Sequence, residues 1–244
     1  MKNVVINKVD RGEKVLGCWM PFVSVQVMEL LAIAGFDFVQ LDGEHGPFDL
    51  EQIELSCITA RACGMAVFAR PASCETPTIN TYLERGVQGI VGPHIDSAIQ
   101  AESLVRSCRF APEGDRSWGS GRALLYNDPI SVENKDGLRT TIMKEANSQM
   151  IVTVQLETKL SLENLDEILE VDGVDYFTFG PNDLAQSMGL PGEPNHNEVK
   201  IAIEEAIKKI HDNGKKIVDD DQILANVQGL ILDSARSFVS KNSD

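Results

Sequence analysis

Two carboxylates, Glu157 and Asp183, each close a short apolar run of strand length. Glu157 directly follows Ile151–Leu156, and Asp183 sits on the G-P-N-D turn after residues 174–179. Both runs are rich in β-branched and aromatic residues, which predicts strands. With no histidine or cysteine beside them, the two carboxylates form an oxygen-rich seat suited to a hard divalent cation such as Mg²⁺ or Mn²⁺. Taken singly, Glu157 could cap a helix and Asp183 could serve a turn. Their pairing favours the cation. Between the runs, LSLENLDEILEV repeats Leu and Ile at helical spacing. A strand–helix–strand unit of this size is a right-handed crossover with parallel strands. Both carboxylates then lie at C-terminal strand ends, where α/β barrels keep their chemistry.

Other predicted strand ends add to the same rim. The second strand offers Asp42, Glu44 and His45, the third Arg70, and the fourth His94. His45 lies among carboxylates and between glycines, in a loop, where an imidazole can move protons near neutral pH. Arg70 precedes a proline and is biased to extended backbone. Its guanidinium could grip a substrate carboxylate, neutralise a developing oxyanion, or simply pair with a neighbouring acid. His94 has no second feature beside it and reads as structural.

The elements that position these residues alternate along the chain. Strands are predicted at 15–19, 36–41, 65–69, 87–91, Ile151–Leu156 and 174–179, with helices at 24–34, 50–63, 77–85, 97–109 and 197–213. Residues 111–149 break the rhythm with a Gly- and Arg-bearing insert and a short helix near 136–145. An insert of that length in a compact domain is usually functional or disordered. Alternation without a composition break predicts a single (β/α)₈ TIM-barrel domain over 1–244. A doubly wound open sheet is the alternative, but no G-x-G-x-x-G follows the first strand.

Composition narrows the function classes. The chain has 244 residues, 43% hydrophobic and 24% charged, an ordinary globular balance. Its formal net charge of −15 argues against nucleic acid or an anionic membrane as partner. No run approaches the roughly 18 apolar residues of a membrane span, and charges fall where a signal peptide needs its apolar core. Five cysteines without C-x-x-C read as free thiols in a reducing cytoplasm.

F-V-Q-L-D-G-E-H-G-P, A-R-P, V-Q-L-E-T and V-D-Y-F-T-F-G-P-N-D-L-A followed by S-M-G-L resemble the HpcH/HpaI family of class II, metal-dependent pyruvate aldolases. The similarity runs from about Gly17 to Gly214. It implies a (β/α)₈ barrel of the phosphoenolpyruvate/pyruvate-domain type and reversible aldol cleavage to pyruvate and an aldehyde. It also implies a divalent metal (Mg²⁺ or Mn²⁺, with Co²⁺ a third candidate) and a homo-oligomer, usually a hexamer. By resemblance, Glu157 and Asp183 match the metal ligands, His45 the catalytic base and Arg70 the arginine that stabilises the transition state. Gln155 matches a substrate contact, and Gly180, Pro181 and Asn182, with Asp183, the segment that holds the pyruvate carboxylate. Two positions differ. Glu84 stands where the family commonly has the aspartate that raises the basicity of the histidine, one methylene longer. Asn182 stands where alanine is common.

A Schiff-base aldolase is the competing enzyme reading and needs a desolvated lysine at a strand end. Lys159 has the strand parity of Gln155 and Glu157, but falls at a predicted helix start. A ligand-binding barrel without turnover is the reading from another class. Choice of aldehyde is expected from Arg116, Trp118 and Arg122 of the insert, with help from a neighbouring subunit. After residue 213 the tail accounts for only one β/α unit, an eighth strand in I-V-D-D-D-Q-I-L and a helix at 227–239. Two units of a typical barrel need about 30 residues each. The count therefore predicts that some 15–20 further residues, about half a unit or more, belong near 216/217 in the natural polypeptide.

Overall fold

In the computed structural model, which describes residues 2–128 and 139–243, the chain forms a curled sheet of seven parallel strands wrapped by helices. Helix α1 (Val4–Val9) precedes β1 (Val15–Met20), α2 (Val25–Ala34), β2 (Phe38–Asp42), α3 (Leu50–Ala62), β3 (Ala66–Arg70) and α4 (Thr76–Glu84). Then come β4 (Gly89–Gly92), α5 (Ala98–Cys108), a 3₁₀ turn at Arg122–Asn127, α6 (Arg139–Ser148), β5 (Ile151–Leu156) and the short pair α7 (Lys159–Glu163) and α8 (Leu165–Leu169). The chain closes with β6 (Tyr176–Phe179), α9 (Pro181–Ser187), α10 (Asn197–Asp212), α11 (Val218–Asp221), β7 (Gln222–Asn226) and α12 (Val227–Asn242). The spatial order is β6-β5-β4-β3-β2-β1-β7.

Local chemistry sets these boundaries. Ser24 accepts from the Val27 N–H at 3.3 Å, and Asp49 and Gln52 form a reciprocal capping box. Thr158 and Ser161 form a second box that starts α7 directly after Glu157. Asn164 divides the predicted helix between β5 and β6 into α7 and α8. The predicted eighth strand is shorter than expected, because Val218–Asp221, with three consecutive aspartates, forms a helical turn before β7 begins.

The two sheet faces bury different sets. Val15, Phe38, Ala66, Phe68, Ile151 and Tyr176 pack with Val5 of α1, which plugs the N-terminal end of the curled sheet. Strand alternation then places Gln40, Asp42, Arg70, Thr153 and Gln155 on this same face. The opposite face packs Val39, Leu41, Val67, Ala69, Val152, Val154 and Leu156 against the surrounding helices. Apolar and polar residues thus share the inner face but separate along its axis.

The sheet edges decide how far the barrel extends. Strand β7 pairs with β1 from Val15↔Gln222 to Trp19↔Asn226. Beside β6 there is a single bridge, Phe177↔Ile217, supported by Phe177 N–H donating to the Lys216 carbonyl at 2.9 Å. Seven strands are therefore present among the described residues, where eight were expected.

Candidate active site

The chemistry collects at the C-terminal ends of β2, β3, β4 and β5. In the β2–β3 register Asp42 pairs with Arg70, so their side chains are neighbours on the inner face. Arg70 Nη2 donates to Asp42 Oδ2 at 2.9 Å and Nε to Asp42 Oδ1 at 3.2 Å. Asp42 is fully buried, and its Oδ1 also accepts from the Glu44 and His45 N–H groups at 3.2 Å each, which fixes the D-G-E-H turn. This forked pairing commits one edge of the guanidinium, two N–H groups, to Asp42 and orients Arg70 toward the rim.

Glu157 is only 1% exposed. Its carboxylate accepts from Gln155 Nε2 and, through Oε1, from the His94 N–H at 2.7 Å. Gly180 passes so close to Glu157 that a Cβ there would collide with it and crowd Gln155. The glycine of G-P-N-D is thus required for backbone to seal this acid. Asp183 lies three residues on, in the first turn of α9, half-buried. No cluster of three metal-ligand side chains among the described residues includes Asp183.

Glu44 and His94 enter a cluster that the sequence reading left incomplete. His94 Nε2 lies 2.9 Å from Glu44 Oε1, and its Nδ1 lies 3.3 Å from Glu157 Oε1. Donor atoms of Glu44, His94 and Glu157 all lie within 4.8 Å of one another. His94, which reads as structural in the sequence, therefore stands within reach of both carboxylates. The signal that could have revealed it is its place directly after Gly92-Pro93 at a strand end. The Glu44 side chain is 10% exposed, and its Oε2 has no hydrogen-bond partner, although Arg70 Nε stands 3.1 Å away. Three carboxylates, Asp42, Glu44 and Glu157, thus gather at these strand ends, where Arg70 pairs with the first two and the His94 ring faces the last two. Burying such an excess without a counter-charge is costly. The donor set and the orphaned oxygen fit a divalent cation.

His45 is 62% exposed on its side chain, with Nε2 3.9 Å from Glu44 Oε2. It faces the open side of the cluster. Glu84 does not join it. The C-terminal end of α4 puts Glu84 on the N-terminal rim, where its carboxylate lies against Gly119 and Gly121 and attracts buried Arg116. Strands of about five residues separate the rims by roughly 17 Å. The described residues of the insert lie on that far rim too, since they follow α5 and lead into the start of β5. There Arg116 stacks 4.6 Å over Phe110 and donates to the Leu83 carbonyl, and Trp118 packs 5.7 Å from the same ring. Arg122 faces Glu54 at 3.7 Å. The expected helix near 136–145 appears as α6, with the start of that range outside the described residues. Lys159 is 67% exposed and pairs with Glu163 at 3.6 Å, a solvated setting unlike that of a Schiff-base lysine.

The model of HpcH/HpaI aldolase/citrate lyase matches residues 15–244. The chain belongs to the HpcH/HpaI aldolase/citrate lyase family. It is 39% identical over 207 residues to a 4-hydroxy-2-oxovalerate aldolase of Rhodococcus jostii, covering 84% of this chain and 76% of that protein. It is 36% identical over 248 residues to a hydroxypyruvate/pyruvate aldolase of Roseobacter denitrificans, covering 99% and 91%. An HpcH/HpaI aldolase from Desulfitobacterium hafniense superposes with a TM-score of 0.83 at 22% identity, over 97% of this chain and 95% of that one. That likeness in fold places the curled sheet among HpcH/HpaI structures. No helix among the described residues is long and apolar enough to cross a membrane.

Proposed function

We propose that the chain is a carbon–carbon lyase that cleaves a 4-hydroxy-2-keto acid reversibly to pyruvate and an aldehyde, with a divalent metal ion as cofactor. The observation that carries this reading is the excess of buried carboxylate over cation at the strand ends, in a chain whose relatives are aldolases. Glu157, with Asp183 by resemblance, would hold Mg²⁺, Mn²⁺ or Co²⁺. Such an ion supplies Lewis-acid stabilisation of the enolate oxygen that forms as the bond breaks.

The chain's own residues do the rest. His45 takes the proton of the substrate 4-hydroxyl. The C3–C4 bond then breaks, its electron pair passes into the pyruvate half, and the hydroxyl carbon leaves as the aldehyde. Arg70, aimed by Asp42, neutralises charge on the developing oxyanion. Gln155 and the Gly180-Pro181-Asn182 backbone hold the pyruvate half, a role that uses backbone at Asn182 and tolerates its side chain. Protonation at C3 then completes pyruvate and balances the proton taken from the 4-hydroxyl. In the synthetic direction C3 loses a proton and His45 returns one to the new 4-hydroxyl. Glu84 could support His45 only from a neighbouring subunit, because within one chain it faces the other rim. A homo-oligomer, a hexamer by resemblance, would provide that neighbour. Exposed Leu230, Ile231, Phe238 and Val239 on α12 support an assembly.

The fold reading extends to a complete (β/α)₈ domain of the pyruvate type. The lone Phe177–Ile217 bridge and the exposure of Ile223 and Leu224 support a natural polypeptide with about 15–20 further residues near 216/217, part of one more β/α unit. An intact mass of the natural protein equal to that of this sequence would defeat that extension. The catalytic reading is tested by pyruvate release from a panel of 4-hydroxy-2-keto acids. Release should stop with EDTA and return with Mn²⁺ or Mg²⁺.

A further inference from the structure

We propose that His94 is a third, nitrogen ligand of the cation site, which turns its preference from Mg²⁺ toward imidazole-binding metals such as Co²⁺ and Zn²⁺. The inference rests on the metal-dependent reading above and deepens it, since two carboxylates alone favour hard ions.

Four observations carry it. The first is backbone conformation. His94 has φ +52°, a left-handed setting that non-glycine residues seldom adopt without a reason. The second is what holds it there. The His94 N–H donates to Glu157 Oε1 at 2.7 Å, so the buried acid itself sets the imidazole over the cluster. Buried Ile95 anchors the next residue from below. The third is geometry. Both ring nitrogens face carboxylates, Nε2 at 2.9 Å from Glu44 and Nδ1 at 3.3 Å from Glu157, and all three donor groups lie within 4.8 Å. Donors each about 2.0–2.2 Å from one ion are spaced within that limit. The fourth is the free lone pair. Glu44 Oε2 is buried without a hydrogen bond, with Arg70 Nε 3.1 Å away as an ion-pair partner.

The chemistry follows from donor type. Imidazole suits Zn²⁺, Co²⁺ and related ions, whereas Mg²⁺ keeps oxygen ligands and water. One nitrogen beside two carboxylates therefore raises affinity most for the later first-row metals. The ring nitrogen left free would remain hydrogen-bonded to the other carboxylate, which fixes the orientation of the ligand.

The test is calorimetric titration of metal-free protein with Co²⁺ and Mg²⁺, on wild type, His94→Gln and Glu157→Gln. Proton NMR of the Co²⁺ forms is read for a paramagnetically shifted imidazole N–H, and circular dichroism confirms folding. Wild type should show the shifted signal. His94→Gln should lose it and bind Co²⁺ about 10–100-fold more weakly, with Mg²⁺ affinity changed less than about threefold, as for loss of a group that tunes a metal site. Glu157→Gln should weaken both metals. Equal Co²⁺ affinity in wild type and His94→Gln, with no shifted signal in either, would overturn the role of His94 and leave the metal-dependent reading standing. No cation binding by wild type would overturn both.

Discussion

The two rims of the sheet carry similar numbers of acids but differ in how those acids are paired. On the N-terminal rim every acid that reaches inward meets its own cation or backbone donor. Asp37 pairs with Lys8 at 2.7 Å and accepts from the Leu16 N–H at 2.9 Å. Asp175 accepts from Arg109 at 3.1 Å and the Val152 N–H at 2.7 Å, and Asp221 from Lys216 at 2.7 Å and the Tyr176 hydroxyl at 2.8 Å. On the C-terminal rim Asp42 and Glu44 share Arg70, Glu157 meets Gln155 and the His94 ring, and Glu44 Oε2 is left without a hydrogen bond. The first arrangement is complete as it stands and joins strand starts to their neighbours. The second gathers three carboxylates beside one guanidinium and the His94 ring, a group that could hold a metal ion. That difference separates acids that tie strand starts to their neighbours from acids grouped where an ion could bind.

Substitutions sharpen the contrast. Glu157→Gln should reduce turnover to background and weaken divalent metal binding while the fold persists, read by calorimetry alongside the pyruvate assay. His45→Ala should cost about 10²–10⁴ in turnover, the range for losing a positioned acid–base group, with pyruvate binding retained. Arg70→Lys should cost on the order of 10²–10³ in kcat, because a lysine cannot keep both the Asp42 fork and the oxyanion contact. An Arg70→Lys enzyme with wild-type kcat would reduce Arg70 to a partner of Asp42.

On the other rim the effects fall on stability. Glu84→Gln leaves buried Arg116 without its acid and should destabilise by about 1–3 kcal/mol in chemical denaturation. If Glu84 reaches His45 across a subunit boundary, the low-pH limb of the rate profile should also move down, since a charge that favours imidazolium is gone. An unmoved limb assigns Glu84 to the far rim alone. The smallest effect is expected at Asp221. Burial pushes its carboxyl up, but Lys216 and Tyr176 outweigh that and hold it below the usual range. A depressed carboxyl contributes stability above its ordinary pKa, and that contribution is lost as pH falls through the folded value. Asp221→Asn should therefore lower Tm slightly at pH 7, and the difference should vanish in acid whether or not metal is present.

Much of this was legible in the sequence, for reasons specific to each part. Periodicity located β1 to β6 and their helices, because parallel strands buried on both faces read as apolar runs. Glu157, His45 and Arg70 stood out because each ends such a run. What escaped was set by distant partners. Glu44 and His94 lie 50 positions apart and meet only because β2 and β4 curl toward one mouth. Arg116, Trp118 and Arg122 of the insert follow a helix and lie on the far rim from Glu157 within one chain, although the Arg and Gly content there suggested a substrate loop. Glu84 shows the same limit. Its motif position suggested a partner for His45, while the helix direction carries it away. At the tail, three consecutive aspartates favoured a helical turn where the apolar spacing suggested a strand start.

The most direct test of the acid-rich rim is pyruvate release from 4-hydroxy-2-keto acids by metal-stripped protein, before and after Mn²⁺ and in the presence of borohydride. Release should be absent without metal, return with Mn²⁺, and leave no covalent adduct. Turnover by stripped protein, with borohydride trapping an imine on Lys159, would contradict the cation site and assign the chemistry to a lysine.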